Sequence, residues 1–177
     1  VHGRDDLPTE HGFSSIVYGC RPESRGYLTL KTANPEDAPA MYPNYLTDEQ
    51  DIVDIRNGSR ITRDIVLQKA FDPYRGAQIK PSGDVNVDND DELDGWIRAT
   101  GETLYHPVGT CKMGNDPMAV TNEHGQVHGL EGLRVVDASL MPTLVTGNTN
   151  APTIMMAEKI SDHICGKAFL PAQQVAG

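Results

Sequence analysis

The chain has 177 residues, and its 15 Lys and Arg against 25 Asp and Glu give a formal net charge of −10 at pH 7. This acidic balance argues against a nucleic-acid-binding protein, which needs a basic surface, and against docking on anionic lipid. No apolar run approaches the roughly 20 residues of a membrane-spanning helix, and the first residues lack the apolar core of a signal peptide. Composition therefore predicts an acidic, cytoplasmic, globular protein.

Strand-like segments dominate residues 13–45. Strand patterns occupy residues 13–18 and 27–31, and the Pro- and Gly-containing segment 21–26 between them predicts a turn or loop. A Pro-rich connector follows at residues 34–39. This part of the chain is therefore expected to be mainly β-structure.

Helical spacing begins after Thr47. Thr47 or Asp48 can cap the start of the helix, and the acidic residues of the first turn favour the positive end of the helix dipole. The pair at residues 57–58, Asn-Gly, lies inside the pattern and could mark a break. The spacing predicts a helix over residues 48–71.

An acidic segment at residues 84–94 carries six Asp and Glu side chains. A calcium loop is one interpretation, but Asn89 stands where an EF-hand needs Gly, and Gly95 stands where it needs a bidentate Glu. The favoured interpretation is a solvated loop that leads into the acidic first turn of a short helix around residues 93–97.

The last third of the chain has short apolar runs separated by glycines. Residues 133–137 predict a buried strand that ends in an aspartate, followed by a loop. A helix is predicted to begin at Asn150 as its N-cap, with Pro152 in the first turn and Gly166 as its stop. Residues 171–177 are expected to fray.

A strand that ends at Asp137 and a helix that opens at residues 150–153 form a site-like arrangement. The free N–H groups and partial positive charge of a helix start suit an oxyanion or an anionic ring. The carboxylate of Asp137 could accept hydrogen bonds from ribose or ribityl hydroxyls. Alternatively, it simply caps the following turn.

His106 is followed by residues that restrict the backbone and permit close contacts. Pro107 restricts the backbone after it, and Gly109 permits close approach of a ligand or another backbone. These neighbours make His106 a candidate site residue. Cys111, by contrast, has nothing nearby that would activate it, so a structural thiol is expected.

A metal site is not predicted. His124 and His128 have a spacing that could hold zinc on a helix, but Gly125 and Gly129 disfavour a helix there. No third ligand accompanies the two histidines in the sequence.

Three long motifs resemble the C-terminal signature of the glucose–methanol–choline (GMC) flavoenzyme oxidoreductases. Residues 105–114, 127–143 and 147–159 read YHPVGTCKMG, VHGLEGLRVVDASLMPT and GNTNAPTIMMAEK. They occur in the order of the family signature, and the nearest resemblance is to its choline dehydrogenase-like alcohol dehydrogenases. Segments of the first half, such as residues 21–26 and 43–46, resemble the substrate domain of the family.

The resemblance implies an α+β fold: a mostly antiparallel sheet with helices on one side, plus a C-terminal strand–helix that completes a flavin domain. It assigns residues 1–128 to the substrate-binding region and residues 129–177 to the C-terminal segment of the FAD-binding region. The family's G-x-G-x-x-G motif, which cradles the FAD pyrophosphate, does not occur in the sequence. The chain is therefore expected to be a fragment that lacks its partner, the N-terminal FAD domain, and that binds FAD weakly or not at all by itself. Exposed apolar surface on residues 150–165 could support a homodimer.

The resemblance also implies an FAD-dependent enzyme that oxidises a primary alcohol, choline-like or other, to an aldehyde by hydride transfer to flavin. His106 would take the hydroxyl proton or stabilise the alkoxide, and Asn148 would hydrogen-bond the substrate oxygen. The implied FAD contacts lie at the strand end and the helix start, namely Asp137, Ala138, Asn150, Pro152 and Thr153. The electron acceptor stays open. The alternative is a non-catalytic binding or assembly module that retains a GMC-like surface.

Overall fold

The computed structural model describes residues 11–168, 170, 171 and 173. Two short strands, β1 (Tyr27–Thr29) and β2 (Ala40–Tyr42), precede three helices, α1 (Glu49–Val66), α2 (Asp90–Thr100) and α3 (Asn150–Ile164). The expected α+β class is confirmed. The predicted fraying of residues 171–177 falls mostly outside the described residues.

Two compact units make up the chain. The first consists of Val1–Arg25 with Asn44–Glu102, and the second consists of Gly26–Pro43 with Thr103–Gly177. The division at residue 128 into substrate and flavin regions concerns function rather than packing, and it stays a prediction.

Helix α1 begins and ends through identifiable backbone contacts. The Gln50 N–H donates to the carboxylate of Asp48 over 2.9 Å, so Asp48 is the cap among the two predicted candidates. The helix ends at Val66, earlier than the predicted residue 71, because Gln68 adopts an extended backbone that breaks the helical hydrogen-bond series. A short 3-10 turn, Lys69–Phe71, follows.

The Asn-Gly pair at residues 57–58 does not break α1. An added Cβ at Gly58 would lie 2.5 Å from Val17 Cγ1. The glycine therefore leaves room for Val17 to pack directly against the helix, which explains its presence inside a helical pattern.

The core of the first unit lies between α1 and α2. Ile52 of α1 and Leu93 and Ile97 of α2 are buried there. Asn89 caps α2, because its side chain accepts a hydrogen bond from the Glu92 N–H over 3.1 Å. The predicted short helix is confirmed.

The acidic segment pairs with an arginine face of α1 instead of being only solvated. Arg56 donates to both oxygens of Asp94, over 2.7 and 2.8 Å. Arg63 pairs with Asp88 over 2.8 Å, and its hydrogen bond to that carboxylate lowers the Asp88 pKa. These carboxylates therefore tie α2 and the loop before it to α1.

The sheet of the second unit is smaller than predicted. β1 and β2 pair antiparallel, with Tyr27 opposite Tyr42 and their rings stacked at a centroid distance of 4.7 Å. Residues 13–18 form no strand, and the predicted strand over residues 27–31 ends at Thr29. In the described part of the chain the regular sheet has two strands, and they pair antiparallel, as the predicted fold class requires. No strand among the described residues pairs with residues 13–18, which are mostly exposed, so their strand propensity is not realised.

Among the described residues, the remainder of the second unit consists of loops, a 3-10 turn (Ala138–Leu140) and α3. The predicted strand over residues 133–136 forms only an isolated bridge between Arg134 and Gln126. α3 buries Ile160, and Gly166 ends it in the left-handed conformation with φ +67, as predicted. Its N-cap position is Thr149, not Asn150, which is the first helical residue. None of the described helices is long and apolar enough to cross a membrane.

Candidate functional site

The candidate site lies where the His106 loop meets the start of α3. The Nδ1 atom of His106 lies 2.9 Å from the hydroxyl oxygen of Thr149, the residue immediately before the helix. The two residues are 43 positions apart in sequence, His106 is half-buried and Thr149 is buried. Tyr105, just before the histidine, has a positive φ of 60°, which turns the chain sharply into the site.

Main-chain hydrogen bonds fix the loop that carries His106. The Cys111 N–H donates to the carbonyl of Ser139 over 3.1 Å, and the Met113 N–H donates to that of Leu140 over 2.9 Å. Gly109 has a φ of +84°, and a Cβ there would lie 3.3 Å from the Met141 carbonyl oxygen. The loop is thus held against the 3-10 turn Ala138–Leu140 through contacts that depend on this glycine.

An ion pair closes the same loop beyond Cys111. Lys112 Nζ donates to both carboxylate oxygens of Asp116, over 2.9 and 2.8 Å. The hydrogen bond from Lys112 is the main cause that lowers the pKa of Asp116. Thr121, which is fully buried, donates its hydroxyl to the Cys111 carbonyl over 3.3 Å. The main chain of the half-buried Cys111 therefore belongs to this loop framework, and the structural role of its thiol stays a prediction.

Asp137 caps the 3-10 turn that supports the loop. One carboxylate oxygen accepts from the Ser139 N–H over 2.8 Å and from the Ser139 hydroxyl over 2.5 Å. The capping alternative is therefore realised. Asp137 stays exposed and Ala138 half-buried, and their contact with a cofactor stays a prediction.

The start of α3 presents main-chain donors without competing acidic groups. The first turn contains no Asp or Glu, and no side chain caps it. Thr153 donates both its N–H and its hydroxyl to the Thr149 carbonyl, over 3.0 and 2.7 Å. Asn148 and Asn150 are exposed on either side of Thr149, and Pro152 is half-buried. The helix dipole makes this end positive, which suits an anionic group.

The structure brings His106 to the α3 start but reveals a partner that sequence reasoning missed. Thr149 stands between Asn148 and Asn150, and only these two neighbours were singled out. A signal was available: Thr at an N-cap position, followed three residues later by Pro152, which has no N–H to donate to a cap.

His124 and His128 make separate contacts. The ring of His124 stacks on that of His163 of α3 at 3.9 Å between centroids and 8° between planes. His128 Nε2 lies 3.0 Å from the carbonyl oxygen of Gly114. The two histidines therefore support the loop framework in different places.

The chain is similar in sequence to known oxidoreductases. A family model described as GMC oxidoreductase matches residues 22–157. The chain is 52% identical over 162 residues to an oxygen-dependent choline dehydrogenase from Pseudomonas fluorescens (strain SBW25), an alignment that covers 92% of this chain and 28% of that protein. The chain thus spans less than a third of the length of this curated relative.

Solved structures share the fold. Pyridoxine 4-oxidase from Mesorbium loti superposes with a TM-score of 0.77 and 29% sequence identity, covering 85% of this chain and 29% of that one. An FAD-dependent oxidoreductase from Chaetomium thermophilum superposes with a TM-score of 0.76 and 26% identity, covering 83% of this chain and 25% of that one.

Proposed function

Since the chain belongs to the GMC oxidoreductase family, we propose that it forms part of an FAD-dependent enzyme that oxidises a primary alcohol, of the choline type, to an aldehyde. The observation that carries this proposal is the contact between His106 and Thr149, which places a titratable ring at the start of α3. The names of a choline dehydrogenase and an FAD-dependent oxidoreductase among the similar proteins support the same chemistry.

The start of α3 fits the ring system of FAD. Its first turn has free main-chain donors and no acidic side chain, so a ring that becomes negatively charged on reduction would be stabilised there. Asn150, Pro152 and Thr153 would contact that ring from the helix, and Asp137 and Ala138 would contact the cofactor from the adjacent turn. FAD would supply the acceptor for the hydride that leaves the carbinol carbon.

His106 is the residue proposed to receive the hydroxyl proton of the alcohol. Its Nδ1 is engaged by Thr149, which leaves Nε2 as the nitrogen that can meet the substrate. The O–H bond of the alcohol breaks as an N–H bond forms at Nε2, so the oxygen becomes able to form the carbonyl. An imidazole is suited to this transfer because its unprotonated ring nitrogen can accept a proton while the other nitrogen keeps its hydrogen.

Asn148 is proposed to orient the substrate oxygen. It is exposed one residue before Thr149, and its amide can donate a hydrogen bond but cannot accept the proton as a base. This division of roles leaves the proton chemistry to His106 alone.

The proposed assembly includes a partner. Residues 1–128 would contribute to the substrate side and residues 129–177 to the flavin side, and an FAD domain of the kind found in GMC enzymes would hold the rest of the cofactor. The proposed alcohol oxidation therefore needs a polypeptide that contains both this FAD domain and residues 1–177.

Replacing His106 with Gln in the FAD-loaded enzyme tests the proposal. The rate of oxidation of choline and of simple primary alcohols should fall by about 10²- to 10⁴-fold, the usual contribution of one acid–base group. His128→Gln is the matched control, since this exposed histidine contacts the Gly114 carbonyl and lies outside the site. A His106→Gln enzyme with the activity of the control would refute the assignment. A wild-type enzyme that oxidises no alcohol would instead favour a non-catalytic module.

A further inference from the structure

Thr149 occupies the N-cap position of α3, yet its hydroxyl does not cap the helix. An N-cap side chain normally accepts a hydrogen bond from the second or third helical N–H. Here the third helical residue is Pro152, which has no N–H, and Thr149 itself has a helical backbone with φ −83° and ψ −9°. No cap hydrogen bond forms from its side chain. The acceptor capacity of the hydroxyl oxygen is therefore left for another donor.

The imidazole of His106 lies within hydrogen-bond reach of that hydroxyl. Nδ1 lies 2.9 Å from Thr149 Oγ1, a normal hydrogen-bond length. Thr149 is 9% exposed, and its carbonyl oxygen is held by two hydrogen bonds from Thr153. Burial and these two hydrogen bonds hold Thr149 in place at the start of α3. Its hydroxyl is therefore a fixed partner for the His106 ring.

We propose that Thr149 is a positioning residue that sets both the orientation and the tautomer of His106. In the neutral ring, Nδ1–H donates to Thr149 Oγ1, and Nε2 carries the lone pair. This inference rests on the proposed function, because a ring that accepts the alcohol proton at its free nitrogen must carry its own hydrogen on Nδ1.

The same hydrogen bond persists when His106 becomes charged. After Nε2 gains the proton, Nδ1–H still donates to the hydroxyl, now from an imidazolium, and hydrogen bonds from a charged donor are stronger than neutral ones. The contact therefore stabilises the state in which the proton has moved more than the state in which substrate has merely bound. Its loss should lower kcat and leave KM nearly unchanged.

The kinetic test uses two substitutions at one position in the FAD-loaded enzyme. Thr149→Val keeps the branched shape and removes the hydroxyl, and we expect kcat to fall about 10- to 100-fold, the range for one hydrogen bond to a charged group. Thr149→Ser should restore most of the rate. Thr100→Val is the matched control, because the Thr100 hydroxyl donates to the Trp96 carbonyl within α2. An unchanged kcat in Thr149→Val, or an equal loss in Thr149→Ser, would overturn the proposal.

A spectroscopic test reads the tautomer without activity. Nitrogen-15 NMR of the histidine-labelled protein, with the His106 signals identified by their absence in His106→Gln, should show a protonated Nδ1 and an unprotonated Nε2 in the neutral ring. Thr149→Val should reduce the population of this tautomer. A wild-type ring that carries its hydrogen on Nε2 would overturn the inference even if the enzyme oxidises alcohols. Conversely, full activity in His106→Gln would refute the proposed role of His106 in catalysis. The tautomer measured by NMR would then still test whether Thr149 positions the ring.

Discussion

Replacing Asp51 with Asn should destabilise the first unit strongly, although Asp51 is not one of the candidate site residues. The carboxylate of Asp51, in the first turn of α1, accepts the Glu23 N–H over 2.7 Å and the Ser24 N–H over 3.0 Å. Asp51 is only 8% exposed. It therefore ties the loop before β1 to the helix through two main-chain hydrogen bonds to one buried charged group.

The magnitude follows from those two bonds. Hydrogen bonds to a charged group contribute about 1.5–3 kcal/mol each. Asn has one acceptor oxygen and would turn its NH2 toward one of the two main-chain N–H groups, so one bond is lost and two donors face each other. The free energy of unfolding should fall by about 2–4 kcal/mol.

The pH dependence gives a second readout for Asp51. Burial alone would raise its pKa, but hydrogen bonds from the Ser24 side chain and from the Glu23 and Ser24 N–H groups outweigh burial and hold the pKa below its usual value. Because the folded pKa is lower than the unfolded value of about 3.9, the stabilisation is present above that pH and lost as the pH falls through the folded pKa. The difference between wild type and Asp51→Asn should therefore shrink in acid.

Urea denaturation followed by circular dichroism at pH 7 and at progressively lower pH measures both effects. Asp54→Asn is the control on the same helix, because the exposed Asp54 carboxylate bonds only the Gln50 side chain among the described residues. A loss at Asp51 no larger than that of the control, or a difference that grows as the pH falls, would refute the reasoning.

Two further substitutions probe the packing of each unit. Leu93→Ala removes a side chain that is 1% exposed in the α1–α2 core and should cost about 2–5 kcal/mol in urea denaturation, whereas Leu30→Ala, at an 81% exposed position, should cost little; equal costs would contradict the core assignment. Gly125→Ala should destabilise the second unit by about 1–3 kcal/mol, because φ is +71° and the new Cβ would lie 2.5 Å from the Val135 carbonyl oxygen. Gly76→Ala, which meets nothing within 4 Å, is its control, and a neutral Gly125→Ala would count against the loop geometry.

Local sequence signals predicted the helices well because their determinants are local. Asp48, one of the two predicted caps of α1, accepts the main-chain N–H of Gln50. Asn89, which was not singled out as a cap, does the same for α2 with the Glu92 N–H. The end of α1 was placed too late, because apolar spacing continues past Gln68 although the backbone there turns extended. The spacing of residues 56, 60 and 63 on one face of α1 was also a local signal, and it would have identified the partners of the acidic segment.

The strands were harder to predict because a strand needs a partner that the local pattern does not reveal. Residues 13–18 and 133–136 have strand-like composition, yet the first stays unpaired as a strand and the second forms a single bridge. In the part of the chain that the structure describes, β1 and β2 are the strands that pair in a sheet, and their Tyr27 and Tyr42 rings also stack. Propensity alone therefore overestimated the sheet.

The sequence identified the residues of the candidate site but not the hydrogen bond that joins them. His106 and the start of α3 were both identified from sequence, and the contact that joins them passes through Thr149. That contact depends on the His106 loop being held against the turn Ala138–Leu140, a long-range arrangement that no short motif encodes.

Anaerobic reduction of the flavin by an alcohol deuterated at the carbinol carbon tests the central claim most directly. If hydride leaves that carbon while His106 takes the hydroxyl proton, reduction of the wild-type enzyme should be slower with the deuterated alcohol than with the ordinary one, and His106→Gln should slow both by about 10²- to 10⁴-fold. A flavin that the alcohol does not reduce, or one reduced at the same rate with either isotope and with either residue at position 106, would contradict the account.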